Sequence, residues 1–355
     1  MKKLNIFMSR LKYGGMELSL INFINNSNIT KQYEVNLYLV YCLNKELLNN
    51  ISKNVNIYLF CNDKWNILGK IKAMFSILKL LIVNPKSDVS ICYSNHQRIL
   101  SKLCRKSSDN SILFIHSDLD RYTNFKERNE IKDRILFDKF NKIVCVSEKT
   151  MRSLVALYDD SIADKCFVIP NYVDGERILE MSNEKIEESI DFSIPTFISI
   201  ANHVEKYKNI NSIIYSAYEL KKKKLDFQIL LIGSGEDTEN YKTKIEELRL
   251  QDTILLLGSK SNPYPYLKKS KALLFTSSFE GYGMVLDEAR VLNVPIISTG
   301  SGASVEICHD GYGVIVEDLT IALNHFLEKN IKNKKMFDYN TFNNDITKAY
   351  DEVIK

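Results

Sequence analysis

The stretch from Ala272 to Thr299 constrains the fold more than any other. Ala272-Leu273-Leu274-Phe275 is an apolar run of strand length, closed by Thr276-Ser277-Ser278. Phe279 to Ala289 then opens a helix pattern that stops near Asn293, before Val294-Pro295. A second strand, Pro295-Ile296-Ile297-Ser298-Thr299, follows at once. Strand, loop, helix and return strand form the unit of a parallel sheet, and open sheets of this kind bind ligands off the carboxyl ends of their strands.

The same alternation runs through the chain. Strand patterns occupy residues 4–8, 35–40, 55–60, 90–94, 112–116 and 142–146, then 197–200, 227–232, 253–258, 272–275 and 295–299. Helix patterns fall between them, notably at 65–83, 147–157, 210–223, 238–249 and 343–354. Alternation of this kind argues an α/β fold with parallel sheets. A length of 355 residues, 45% hydrophobic and 26% charged, suits two globular domains. Residues 176–192 are polar and acidic, as a linker would be. The expectation is two doubly wound domains, 1–175 and 176–342.

The chemistry concentrates around 279–289. Gly283, Met284 and Val285 would offer the first free amides of a helix, at the positive end of its dipole, which suits a phosphate. Glu280 precedes that helix and Glu288 lies within it. Two carboxylates beside a phosphate pocket need partners other than phosphate, and sugar hydroxyls serve, since one carboxylate accepts from two of them. The stretch reads as a nucleotide-sugar site, with Gly281 and Tyr282 in its loop.

Other segments carry turn chemistry at strand ends. Gly14-Gly15 follows the first strand, with Glu17 in the first turn of the next helix. His116 ends its strand. Val146-Ser147-Glu148 caps a helix, and Ile169-Pro170-Asn171-Tyr172-Val173-Asp174 follows. Lys208-Asn209 comes after the strand at 197–200, Gly233-Ser234-Gly235 after 227–232, and Gly258 ends 253–258.

Taken together, Glu280 and Glu288 at E-x7-E spacing, Lys208-Asn209, the Ile-Gly-x-Gly loop, Val-Ser-Glu with Ile-Pro-Asn-x-Val-Asp, and Gly14-Gly15-x-Glu17 resemble the retaining GT-B glycosyltransferases of family 4 (glycosyl transferases group 1), of the polysaccharide-assembly type. The resemblance implies two Rossmann-like domains facing across a cleft, a first acceptor-side domain completed by a C-terminal helix at 343–355, and a second domain holding the donor. It implies that Glu280, Lys208 and His116 are catalytic. It implies donor contacts at Gly14, Gly15, His203, Lys208, Asn209, Gly233, Gly258, Glu280, Gly281, Tyr282, Gly283, Met284, Val285 and Glu288, with Glu17 on the acceptor side. Where the family pattern has Gly-Arg ahead of Lys-Asn, this chain has Asn202-His203. A histidine is cationic there only if a partner raises its pKa.

The resemblance further implies transfer, with retention, from a UDP- or GDP-linked sugar to a growing, lipid-linked surface glycan such as capsule or O-antigen. A non-catalytic nucleotide-sugar-binding partner subunit and other GT-B chemistry, epimerisation or phosphorolysis, are the rivals. No cofactor beyond the donor, no metal and no nucleic-acid partner are expected. Asp118-Leu119-Asp120 is a D-x-D, read as a solvated loop. The seven cysteines have no metal-like or disulfide-like spacing, which fits a reducing cytoplasm. The apolar run after Met1-Lys2-Lys3 is short for a signal segment, and none reaches the roughly 20 residues of a membrane span.

Charge is uneven: 26 Lys and Arg against 17 Asp and Glu in residues 1–175, and 22 against 27 in the rest. A basic first half suits an anionic surface. Residues 65–83 set Trp65, Leu68, Ile71, Phe75, Leu78, Leu81 and Ile82 on one side, with Lys70, Lys72 and Lys79 elsewhere. That pattern fits a helix packed on the sheet, or a basic amphipathic helix touching an anionic membrane from the cytoplasmic face.

Overall fold

A computed structural model describes residues 1–11, 14–61, 67–93, 98–122, 124–329 and 331–355 of the chain. It divides into two compact units, Met1–Tyr172 with Thr341–Lys355, and Val173–Asn340.

The first unit is built on a parallel sheet of seven strands: β1 (Lys2–Leu11), β2 (Tyr33–Cys42), β3 (Val55–Cys61), β4 (Val89–Cys92), β5 (Ser111–Ile115), β6 (Lys142–Cys145) and β7 (Cys166–Val168). Their order is β3-β2-β1-β4-β5-β6-β7, so the direction of winding reverses between β1 and β4. Helices cover both faces. Leu4, Ile6 and Met8 of β1 enter one core, and Phe7 the other. A strand buried on both faces reads as a continuous apolar run, as β1 does. The side-chain amide of Asn5, buried within it, is matched sideways. Asn36 donates to Asn5 at 3.1 Å and Asn56 to Asn36 at 3.0 Å, at the register where the three strands align.

The C-terminal helix Tyr339–Ile354 packs into this first unit, placing Ile346, Tyr350, Val353 and Ile354 in its core. Tyr350 stacks with Phe114 and Tyr172 and tilts against Phe23, with centroids 4.7–5.8 Å apart.

The second unit has six parallel strands: β8 (Thr196–Ile200), β9 (Gln228–Ile232), β10 (Ile254–Gly258), β11 (Ala272–Phe275), β12 (Ile296–Ser298) and β13 (Gly313–Ile315). Their order is β10-β9-β8-β11-β12-β13. Here the winding reverses between β8 and β11, the place where a doubly wound sheet opens a crevice for a ligand.

Three expectations need correction. Residues 176–192 are not a free linker: Gly175–Met181 is helical, and Glu188 bonds Lys260 and Tyr266 within the second unit. Asp118 is not solvated. It is buried and accepts from the Asp120 amide at 2.9 Å to start a 3-10 turn, while Lys149 lies 3.6 Å from Asp118 and 2.5 Å from Asp120. An ammonium therefore occupies the space between the two carboxylates.

The third concerns the helix Ile67–Val83. Its sheet-facing side is Ile77, Leu80 and Leu81; of the expected apolar side, Leu81 packs there while Ile71, Phe75, Leu78 and Ile82 do not. Ile71, Met74, Phe75, Leu78, Ile82 and Val83 face outward, with Phe75 63% and Ile82 84% exposed. Trp65, Ser94 and the side chains of Leu68 and Lys70 lie outside the described residues. No helix among the described residues is long and apolar enough to cross a membrane.

Candidate functional site

The strongest cluster straddles the reversal point of the second sheet. The chain leaving β8 makes the short helix Glu205–Lys208, and Asn209 ends it with φ of 48°, in the left-handed region that asparagine tolerates. The chain leaving β11 makes the turn that carries Glu280. Lys208 Nζ bonds Glu280 Oε2 and reaches Ser277 Oγ at 3.4 Å. Two further bonds lock these loops together: Thr276 Oγ1 donates to the Lys208 carbonyl at 2.8 Å, and the Ser278 amide to the Tyr207 carbonyl at 2.8 Å. The ion pair is partly open, its partners 21% and 22% exposed.

The helix Met284–Val291 begins beside this pair. Gly283 precedes it with φ of 95°, and a Cβ there would fall 2.8 Å from the Phe275 ring. Only glycine fits both the dihedral and the space. No side chain caps the helix. The amides of its first turn are therefore the group the sheet presents next to Lys208. Uncapped amides, the Lys208 cation and the Glu280 carboxylate make an arrangement suited to a diphosphate with a sugar attached.

Glu288 lies one turn further into that helix, half-buried. Burial and then the nearby Asp287 charge push its carboxyl up to about 7, with Tyr264 and Arg177 pulling the other way. Tyr264 Oη donates to Glu288 Oε1 at 3.4 Å. A carboxyl held in this range can be ionised by the approach of hydroxyl donors.

Gly233, after β9, has φ of 142° and approaches Ala201 so closely that a Cβ would lie 1.8 Å from its carbonyl oxygen. Gly258, at the end of β10, has φ of 66° and accepts from the Gly233 amide at 2.9 Å. Ser234 and Ser259 hydroxyls meet at 2.7 Å. Lys208, Asn209, Gly233, Gly258, Glu280, Gly281, Gly283, Met284, Val285 and Glu288 thus collect at the carboxyl ends of β8 to β11.

His203 belongs to the same loops, where its surroundings disfavour a cation. It is 1% exposed, and burial lowers its pKa. Its Nδ1 meets a hydroxyl, Thr238 Oγ1 at 3.0 Å, rather than a carboxylate, and its ring stands edge-on to Tyr241. The position where the family pattern has arginine is filled here by a buried imidazole, its charged form disfavoured by burial, that packs against the Gly233–Gly235 loop. Tyr282 also turns inward: its side chain is 5% exposed and its hydroxyl donates to Asp287 at 2.7 Å.

In the first unit, Gly14 and Gly15 follow β1 on the carboxyl side of its sheet, and Lys12 and Tyr13 between them and β1 lie outside the described residues. Glu17 is 2% exposed beneath that turn, 3.8 Å from Arg10 Nε. A Cβ on Gly14 would strike its Oε2 at 2.5 Å, so Gly14 makes room for this carboxylate. His116 stands just beyond β5, its ring 4.5 Å from that of Tyr93.

Sequence reasoning gave no site role to Tyr264, Ser277, Asp287 or Arg290. Asp287 and Arg290 had a signal, an acid and a base three apart on the side of a helix that carries Leu286 and Ala289 into the core.

Residues 182–342 match the family model described as glycosyl transferases group 1. The chain is similar to the N-acetylgalactosamine-N,N'-diacetylbacillosaminyl-diphospho-undecaprenol 4-alpha-N-acetylgalactosaminyltransferase of Campylobacter jejuni, 27% identical over 329 residues, covering 89% of this chain and 86% of that protein. It is also 27% identical over 183 residues to the capsular polysaccharide biosynthesis glycosyltransferase CapM of Staphylococcus aureus, covering 49% of this chain and 48% of CapM. In fold it resembles HepE of Anabaena, crystallised with UDP and glucose, at a TM-score of 0.74 with 14% identity, over 99% of this chain and 100% of that one. Fold and second-domain match define a glycosyltransferase of GT-B architecture. The family match and the Campylobacter and Staphylococcus relatives, both named as bacterial glycan-building transferases, support a hexosyltransferase-type enzyme.

Proposed function

We propose that this enzyme transfers a sugar, with retention and without a metal, from a UDP- or GDP-linked donor to a lipid-linked glycan at the cytoplasmic face of a membrane, as a family 4 member. The observation that carries the reading is the Lys208–Glu280 pair across the reversal point of the second sheet, next to an uncapped helix start and Glu288. The Campylobacter relative's name specifies an undecaprenyl-diphosphate-linked acceptor, and HepE holds UDP and glucose.

In this reading the donor diphosphate lies against the amides of Gly283, Met284 and Val285 and takes Lys208 from Glu280. The freed Glu280 carboxylate accepts from hydroxyls of the transferred sugar, and Glu288 from the ribose. Charge grows on the leaving diphosphate as the sugar bond breaks, and preorganised donors stabilise that charge most. His116 and Glu17 of the first unit are carried over from the resemblance as catalytic and acceptor-side candidates, Glu17 acting from beneath the Gly14 turn that covers it. The outward apolar side of helix Ile67–Val83, in a half of the chain with a basic excess, provides membrane contact.

The test is a panel of UDP- and GDP-sugars with EDTA present, followed by thermal shift and slow donor hydrolysis. One donor is expected to bind and turn over. Lys208→Ala is expected to lower turnover by roughly 10² to 10³, the cost of one such contact. Glu280→Gln is expected to bind the free nucleoside diphosphate more tightly than wild type, because Lys208 no longer has a competing carboxylate, while hydrolysis is lost. No binding of any donor would overturn the reading.

A further inference from the structure

The Glu280–Gly283 turn is held from inside by a residue that never reaches the surface. Asp287 is 0% exposed. A carboxylate there is costly unless both oxygens are matched. One accepts from Tyr282 Oη at 2.7 Å and the other from Arg290 Nη2 at 2.5 Å. Arg290, 5% exposed, is fixed in turn by aromatic rings: its guanidinium lies 3.7 Å from the Phe337 centroid and 5.2 Å from that of Tyr312. Those two rings meet edge-to-face at 5.8 Å. Planar guanidinium against ring faces is a geometry that lysine would not reproduce.

The opposite side of the turn is pinned as well. The Ala303 amide donates to the Tyr282 carbonyl at 3.0 Å. Gly302 sits so close that a Cβ would fall 2.7 Å from that carbonyl and 3.1 Å from Glu280 Cβ and Cγ. These two anchors hold the backbone from Glu280 to Gly283 in the shape that brings Glu280 to Lys208 and starts the helix at Met284.

We propose that Asp287 is the positioning residue of this turn, acting through Tyr282 and counter-charged by Arg290, so that Glu280 and the first helix amides meet the donor's sugar and diphosphate preorganised. The inference rests on the donor reading above. Tyr282 and Asp287 do not touch the donor; their effect passes through the backbone that does.

The experiment compares wild type, Tyr282→Phe, Asp287→Asn and the double variant, using the donor sugar that the wild type hydrolyses and its nucleoside alone, uridine or guanosine. Tyr282→Phe deletes one oxygen and keeps the packing. It is expected to melt within a few degrees of wild type and to bind the nucleoside as wild type does. Its donor hydrolysis should fall about 10- to 100-fold, mostly in kcat, since a small misplacement of reacting groups costs that much. The double variant should hydrolyse no more slowly than Asp287→Asn alone, because both changes break one connection. Unchanged turnover in a folded Tyr282→Phe protein would overturn the proposal. So would strictly additive losses, or a loss of nucleoside binding equal to the loss of turnover. A wild type that hydrolyses no donor would instead sink the donor reading itself.

Discussion

Glu288 shows how burial turns a carboxylate into a pH-responsive group. Its carboxyl is pushed up to about 7, first by burial and then by Asp287. An acid whose folded pKa lies above its unfolded value of 4.5 favours the folded state when protonated. That contribution is complete below the unfolded pKa and is lost as pH rises through about 7. Glu288→Gln should therefore melt higher than wild type at pH 8, with a smaller difference at pH 5. Donor affinity should move oppositely. The carboxylate, an acceptor on both oxygens, binds a ribose diol better than the acid does. Wild-type affinity should rise as pH climbs through about 7, and the Gln variant should bind weakly with a flat profile. Thermal melts and donor titrations at the two pH values check both halves. His203 illustrates the converse, since burial beside a hydroxyl partner disfavours the cationic form and lowers its pKa.

At the scale of elements, the helix Ile67–Val83 carries the least usual surface of the molecule. Its outward side presents Ile71, Phe75, Leu78 and Ile82 at helical spacing, each more than 40% exposed. Contiguous apolar surface of this kind marks a contact with lipid or protein. The reading as a membrane contact predicts that Phe75→Ser with Ile82→Ser abolishes sedimentation with anionic vesicles. The double variant should keep its melting temperature, because neither residue packs on the sheet. Binding of the wild type should weaken with salt, as lysine contributions do. Vesicle binding that survives both substitutions would place the contact elsewhere.

At the scale of the whole molecule, the first unit is not a continuous piece of chain. The helix Tyr339–Ile354 completes its core, with Tyr350 among Phe23, Phe114 and Tyr172, the Tyr172 and Thr347 hydroxyls 3.1 Å apart, and Lys142 Nζ on the Val353 carbonyl at 2.6 Å. Tyr350→Ala should cost about 3–5 kcal/mol, the range for emptying a buried aromatic site. Urea unfolding followed by the signal of the first unit measures it, and a loss below 1 kcal/mol would show that the helix adds little. Folding of a fragment ending before residue 339 should fail for the same reason.

The sequence by itself determined what is local. Apolar runs placed the strands, with β1 and β2 extending a few residues past the expected bounds because pairing continued there. Glycine at 233 announced a tight turn, and E-x7-E with Lys-Asn marked a candidate site, because spacing along a helix and the end of a strand are properties of short segments. Only the tertiary structure decided the rest. Lys208 and Glu280 are 72 residues apart and meet because β8 and β11 are neighbours in the sheet, an order no segment contains. Which side of the helix Ile67–Val83 packs, whether His203 is charged, and where Asp287 finds its partners depend on what surrounds each group. Burial and partners are set by strand order and packing, and those emerge only when distant segments are brought together.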